Sequence, residues 1–199
     1  MQGLFFGILK SVKQRCIIII VGSNFYFKLK DLGLHNLLSF DFSKFILLLA
    51  RSYKVINTCY YIGRIRQDGS AKTERLFDAQ QKLIGRLKKH KVSYQFGYLL
   101  KNDGRYHEKG VDVQMAVDML VATYEDQCDR IILVSSDTDL APAIKKAREK
   151  GKTVEYVGFS HKPSVAMVSF CSESHIITKA DILPFTSSCI ERLGGGKKG

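Results

Sequence analysis

Ile131-Ile-Leu-Val-Ser-Ser-Asp137-Thr-Asp139-Leu-Ala-Pro142 is the stretch whose reading decides the fold. An apolar run passes into two closely spaced carboxylates and then, at Pro142, into a helix. Proline is tolerated within the first helical turn, where the backbone N–H has no intrahelical partner in any case. A helix is therefore predicted to begin between Thr138 and Ala141. Asp137 and Asp139 are left at the carboxyl end of a strand, the edge at which open α/β sheets bind ligands.

Working outward, Cys16-Ile-Ile-Ile-Ile-Val21 is a second unbroken apolar run, the pattern of a parallel strand buried on both faces. Gly22-Ser-Asn24 reads as a turn, followed by a short helix or its approach from Phe25. Asp41 or Ser43 would cap a helix running to Ala50. Residues 54–62 read as a strand, with Arg64 and Arg66 just past its end. Residues 73–90 read as a helix, because Leu76, Phe77, Leu83, Ile84 and Leu87 recur at three- and four-residue spacing. Residues 92–98 alternate like a less central strand, and 101–109, polar with Gly104, reads as a loop. Helices are predicted at 111–124, 138–150 and 163–170. Strands are predicted at 130–135 and 153–157, and a final strand or extended segment at 176–183. Strands separated by helices, and apolar rather than alternating, predict a parallel sheet with helices on both faces.

The chain has 199 residues, 45% hydrophobic and 25% charged, which predicts a single globular domain. We expect that domain over 15–185, with an N-terminal extension at 1–14 and a C-terminal tail at 186–199. Thirty-one Lys and Arg against nineteen Asp and Glu leave a net charge of +12. Such an excess favours a polyanionic partner, nucleic acid or an acidic membrane surface; the plainer reading is a surface kept basic for solubility. Five scattered cysteines without a C-x-x-C pair support neither a disulfide framework nor a thiolate zinc site, so a cytoplasmic location is expected. No run approaches the roughly 18 apolar residues of a membrane span. Leu4-Phe-Phe-Gly-Ile-Leu9 is apolar but short, and without basic residues before it or an A-x-A site after it, it does not read as a signal peptide.

Asp112 opens a helix after Gly110, while Asp137 and Asp139 follow the next strand, so a parallel sheet would bring all three to one edge. Two carboxylates ~4 Å apart repel by about 4 kcal/mol at an effective dielectric of 20. A chain that gathers three needs a compensating cation, and hard oxygen donors suit Mg²⁺ or Mn²⁺. Taken singly, each could instead cap a helix. Asp118 lies six residues, or about 600°, along the helix from Asp112 and so points in a different direction. It would either reach the site from the helix flank or form a structural hydrogen-bonded pair.

Three motifs now stand in order: Gly22-Ser-Asn24-Phe-Tyr, Lys109-Gly-Val-Asp112-Val-Gln-Met-Ala-Val-Asp118 and Ser135-Ser-Asp137-Thr-Asp139-Leu-Ala-Pro-Ala-Ile144. Together they resemble the NYN domain family, more narrowly its LabA-like branch, within the PIN-like nuclease superfamily. The similarity covers roughly 15–183, and it is the combination in this order that is specific. It implies a PIN-like three-layer α/β/α sandwich around a mainly parallel sheet of about five strands. It also implies an acidic cluster holding Mg²⁺ or Mn²⁺ and endoribonuclease activity. The family's first motif ends its strand with Asp-Gly-Ser-Asn, whose Asp is a principal ligand. Here the strand ends Ile20-Val21-Gly22-Ser23-Asn24, and valine neither coordinates a cation nor activates water.

The resemblance implies metal-assisted phosphodiester hydrolysis, impaired at Val21, with Asp112, Asp137, Asp139 and possible help from Asp118 as ligands. Asn24 would contact metal-bound water or the scissile phosphate. Ser23, Ser136 and Lys109 would meet the phosphate, and Arg64, Arg66, Lys101 and Arg105 would follow a single-stranded RNA backbone. Tyr26, Tyr106 and Phe25 are candidates to stack on bases, a place in the core being the plainer reading of Phe25. One rival is a catalytically silent RNA-binding module; another is a regulatory domain acting through a homodimer or a protein partner. A phosphotransfer domain of dehalogenase type is disfavoured, since it needs a nucleophilic Asp where Val21 stands.

Overall fold

The computed structural model describes residues 13–102 and 105–186, with side chains given for all of these except 98–102 and 105–109. The expected extension and tail therefore lie mostly outside the described residues. Strands β1 (Arg15–Val21), β2 (Lys54–Gly63), β3 (Ser93–Asn102), β4 (Arg105–Lys109), β5 (Arg130–Val134), β6 (Thr153–Phe159) and β7 (Glu173–Ile177) form one sheet in the order β4-β3-β2-β1-β5-β6-β7. All neighbours are parallel except β3 and β4, which pair antiparallel. Helices α1 (Gly22–Asp31), α2 (Phe42–Ala50), α3 (Ala71–Lys89), α4 (Val111–Tyr124), α5 (Ala141–Glu149), α6 (Val165–Phe170) and α7 (Lys179–Ile182) flank it.

The isoleucine run of β1 becomes the centre of the sheet because both its faces are apolar. Cys16, Ile18 and Ile20 join a core with Phe25 and Leu29 of α1, Phe42, Phe45 and Leu49 of α2, and Leu83 and Leu87 of α3. Ile17, Ile19 and Val21 point the other way, into a core with Met115 and Met119 of α4, Ile144 of α5 and Met167 of α6. The α/β/α sandwich is thus set by the period-two alternation of a single strand. From β1 the chain order runs outward in both directions, to β2 on one side and β5 on the other. The topological switch point lies between the carboxyl ends of β1 and β5.

Four expectations change. The sheet has seven strands rather than about five. The predicted loop at 101–109 is an antiparallel hairpin, β3–β4, at the sheet edge; an edge hairpin needs no apolar run, so its polar sequence gave no strand signal. The turn at Gly22-Ser-Asn24 is already helical, because α1 begins directly at the end of β1. The extended segment at 176–183 ends its strand at Ile177 and continues as α7, started by a reciprocal cap between Thr178 and Asp181. Asp41, rather than Ser43, caps α2, accepting from the Lys44 amide at 3.1 Å. The start predicted from Pro142 holds: a 3-10 turn at Thr138–Leu140 leads into α5, with Pro142 in its first turn.

The opposite, amino-terminal edge is held by charge. Glu155, 1% exposed, accepts from Arg130 at 2.8 Å and from Arg51 at 2.7 Å. Arg130 also reaches Glu173 at 2.8 Å and lies over the Tyr53 ring. Among the described residues no helix is long and apolar enough to cross a membrane.

Candidate functional site

At the carboxyl edge, β1 delivers Val21. It is both the last strand residue and the residue preceding the first turn of α1, 5% exposed and without a side-chain cap. Gly22 follows because nothing larger fits: a Cβ there would lie 2.8 Å from the Tyr61 carbonyl oxygen and closer still to the Tyr60 ring. The Tyr60 hydroxyl donates to the Gly22 carbonyl at 3.3 Å, fixing the strand-to-helix passage against β2.

β5 delivers the second half. The buried Ser135 hydroxyl accepts from the Asp137 amide at 3.0 Å, and Asp137 Oδ1 accepts from the Asp139 amide at 3.1 Å. Asp137 thus caps the short 3-10 turn that its own neighbours form. The Ser136 hydroxyl lies 3.4 Å from that of Tyr156.

Between the two strand ends lies a cleft of about 430 Å³ lined by Val21, Ser23, Asn24, Phe27, Lys28, Asp31 and Asp137. Asn24, Phe27, Lys28 and Asp31 sit at i, i+3, i+4 and i+7, hence on one face of α1. Lys28 Nζ donates to the Lys162 carbonyl at 2.6 Å, and Lys162 Nζ donates to Asp31 at 2.8 Å. His161 Nε2 stands 3.8 Å from the same carboxylate. These contacts tie α1 to the turn that follows β6. Burial lowers the Lys28 amine from its usual value, with Lys162 adding to the effect; the Lys162 bond holds the Asp31 carboxyl low.

The structure brings together Ser23, Asn24 and Asp137, with Asp139 two residues further on in the 3-10 turn. Asp112 sits half-buried in the first turn of α4, after Gly110 with its φ of 77°. Asp118 is engaged elsewhere: Oδ2 accepts from the Tyr61 hydroxyl at 2.6 Å and Oδ1 from Gln114 at 2.8 Å. It lines a separate cavity of about 320 Å³ with Cys59, Tyr61 and Ser93, which is the hydrogen-bonded alternative raised by its helical phase. Arg64 is exposed with its guanidinium 4.7 Å from the Phe96 ring centre, and Arg66 is exposed beyond it. Arg105 and Lys109 lie on β4 and Lys101 on β3, but their side chains, like that of Tyr106, lie outside the described residues. Phe25 is fully buried and cannot stack on a ligand; Tyr26 lines an apolar groove with Leu37, Leu76 and Leu83 instead.

Sequence reasoning missed Phe27, Lys28, Asp31 and the His161-Lys162 turn. Helical spacing from Asn24 would have found the first three, had α1 been started at Gly22. The packing of the β6 turn against α1 had no local signal.

Residues 15–179 match the NYN domain. The chain belongs to that family. The membership places this protein in the PIN-like nuclease superfamily, whose NYN domains generally bind RNA and generally depend on a divalent metal. A segment of 48 residues is 46% identical to an uncharacterized protein of Methanocaldococcus jannaschii; it covers 24% of this chain and 20% of that protein. A crystal structure of a protein of unknown function from Vibrio parahaemolyticus superposes with a TM-score of 0.62 at 19% identity. That match covers 89% of this chain and 96% of the other, and it shows the shared fold.

Against the family's metal, the side chains as placed here do not fit. Among the described residues no three Asp, Glu, His or Cys side chains are grouped as a metal ion requires. Beside Asp137 the adjoining strand end offers the methyl groups of Val21 rather than an oxygen donor, and Asp139 is exposed.

Proposed function

We propose that this NYN domain binds RNA at the carboxyl edge of its sheet and that its capacity to hydrolyse the bound strand is impaired. The observation that carries this reading is Val21, buried at the end of β1 on the wall of the cleft shared by Ser23, Asn24 and Asp137. An apolar side chain at that position leaves Asp137 beside the Asn24 amide and the Ser23 hydroxyl, while the other carboxylate lining the cleft, Asp31, is bonded to Lys162 and the Lys28 ammonium to a carbonyl. Such a set orients a phosphate by hydrogen bonds but supplies neither a pair of anionic ligands nor a general base matched to an acid. Binding is supported by the net charge of +12, since phosphate contacts by Lys and Arg release counterions and dominate nucleic-acid affinity.

A titration of single-stranded RNA with and without Mn²⁺ tests the proposal. The expected result is binding that weakens steeply with salt, needs no divalent cation, and leaves the RNA intact. Val21→Asp, which restores the family's carboxylate, is expected to gain both Mn²⁺ affinity and cleavage. Endonucleolytic cuts by the unaltered chain with Mn²⁺, lost in Asp137→Asn, would instead establish a working Mg²⁺- or Mn²⁺-dependent ribonuclease. Absence of any salt-dependent RNA binding would sink the RNA reading and leave a homodimer or regulatory protein contact as the role.

A further inference from the structure

The face of α1 that lines the cleft carries a large aromatic side chain where solvent would favour a polar one. Phe27 is 59% exposed, although Phe25, two residues earlier, is completely buried. It stands on the cleft wall between Asn24 and Lys28, one turn from the former and adjacent to the latter. Its neighbour Lys28 is not a free surface lysine: the bond to the Lys162 carbonyl holds its ammonium in one position. Of the two carboxylates that line the cleft, Asp31 is engaged by Lys162, and Asp137, across the cleft from α1, accepts from the Asp139 amide. An exposed ring beside a fixed cation, in a cleft of a strongly basic protein, is the pairing by which proteins hold unpaired bases and their phosphates.

We propose that Asn24, Phe27 and Lys28 form the track for a single-stranded RNA segment, one unpaired base stacking on Phe27 and the adjoining phosphate meeting Lys28. The proposal rests on the reading of this domain as RNA-binding and adds the strandedness of the ligand and the residues that grip it. Stacking on Phe27 requires a base face released from a duplex, so the track selects single strands. It reads no base edge, so it accepts many sequences. None of the three is one of the family's acidic positions, and the track would work in this chain whether or not Val21 has silenced cleavage.

Fluorescence anisotropy with a labelled oligouridine, and with the same length of RNA duplex, tests it on the full chain. Phe27→Ala is expected to weaken single-strand binding by about tenfold or more, with Phe27→Trp restoring it. Lys28→Ala is expected to weaken binding and to make the log–log salt slope shallower by about 0.7, the value of one phosphate contact on a single strand. Phe170→Ala, a half-exposed aromatic of α6, serves as the control and should change nothing. Duplex bound as tightly as single strand, or Phe27→Ala binding like the parent, overturns the track while leaving the RNA-binding reading intact. Failure of the unaltered chain to bind either RNA overturns that reading first. Loss of self-association in Phe27→Ala, with RNA binding unchanged, would assign this face to a second copy of the chain and also overturn the track.

Discussion

The Tyr61 hydroxyl donates to Asp118 across 2.6 Å, joining the buried end of β2 to the middle of α4. The bond explains why a carboxylate in the second family motif faces away from the cleft: its two oxygens serve Tyr61 and Gln114. Burial is the first cause that raises the Tyr61 hydroxyl well above its usual range, so it remains a donor at any physiological pH.

Tyr61→Phe should therefore destabilise the fold without touching ligand binding. Removing one partner of a half-buried, charge-assisted bond costs about 1–3 kcal/mol. Urea denaturation should show that loss, while RNA affinity stays that of the parent. A drop in affinity at unchanged stability would place Asp118 in the site after all.

Glu155→Ala should be among the most damaging single changes. It strips Arg130, which is 5% exposed, of its most deeply buried partner and leaves it the half-exposed Glu173 and the Tyr53 ring. Breaking a buried pair from one side costs about 3 kcal/mol or more. Thermal unfolding should register the full effect, and RNA binding at the opposite edge of the sheet should be preserved below the new midpoint.

Val21→Asp should cost stability as it restores chemistry. A carboxylate in place of a side chain packed with Ile19 and Leu133 is an uncompensated charge worth roughly 3 kcal/mol against folding. Because a cation would bind only the folded state, Mn²⁺ should recover much of the loss. Urea midpoints with and without Mn²⁺ measure this; a deficit that Mn²⁺ leaves untouched would mean that Asp112, Asp137 and Asp139 do not reach the restored position.

Stability should fall on mild acidification. His90, His161 and His175 all lie below their usual value near 6.5, burial being the first cause in each and a neighbouring cation, Arg86, Lys28 or Arg51, the second. A histidine depressed in the folded state binds its proton more readily when unfolded, so its contribution is complete above the unfolded value and is lost as pH falls below it. Urea midpoints should decline from about pH 6.5 downward. A further decline is expected at lower pH, where Asp129 and Glu173, held low by Arg15 and Arg130, begin to take up protons. A flat profile between about pH 7 and pH 5.5 would contradict the histidine part.

Local sequence determined the elements and their polarity. The unbroken isoleucines of β1 and the apolar run of β5 could only be strands buried on both faces, and Pro142 marked where the second gave way to a helix. Their carboxyl ends therefore carried Val21 and Asp137 to a common edge, legible before any packing was known. Tertiary structure decided the rest, because it depends on residues far apart in the chain. Whether Asp118 faced the cleft was set by Tyr61, fifty-seven positions earlier. Whether Lys28 was free was set by a carbonyl at Lys162. The β3–β4 hairpin escaped notice since an edge pair is held by backbone bonds that leave no apolar pattern in the sequence. The motif spacing predicts three carboxylates at one edge of the sheet, but metal coordination demands donors within a few ångströms of one point, which depends on tertiary packing rather than on spacing along the chain.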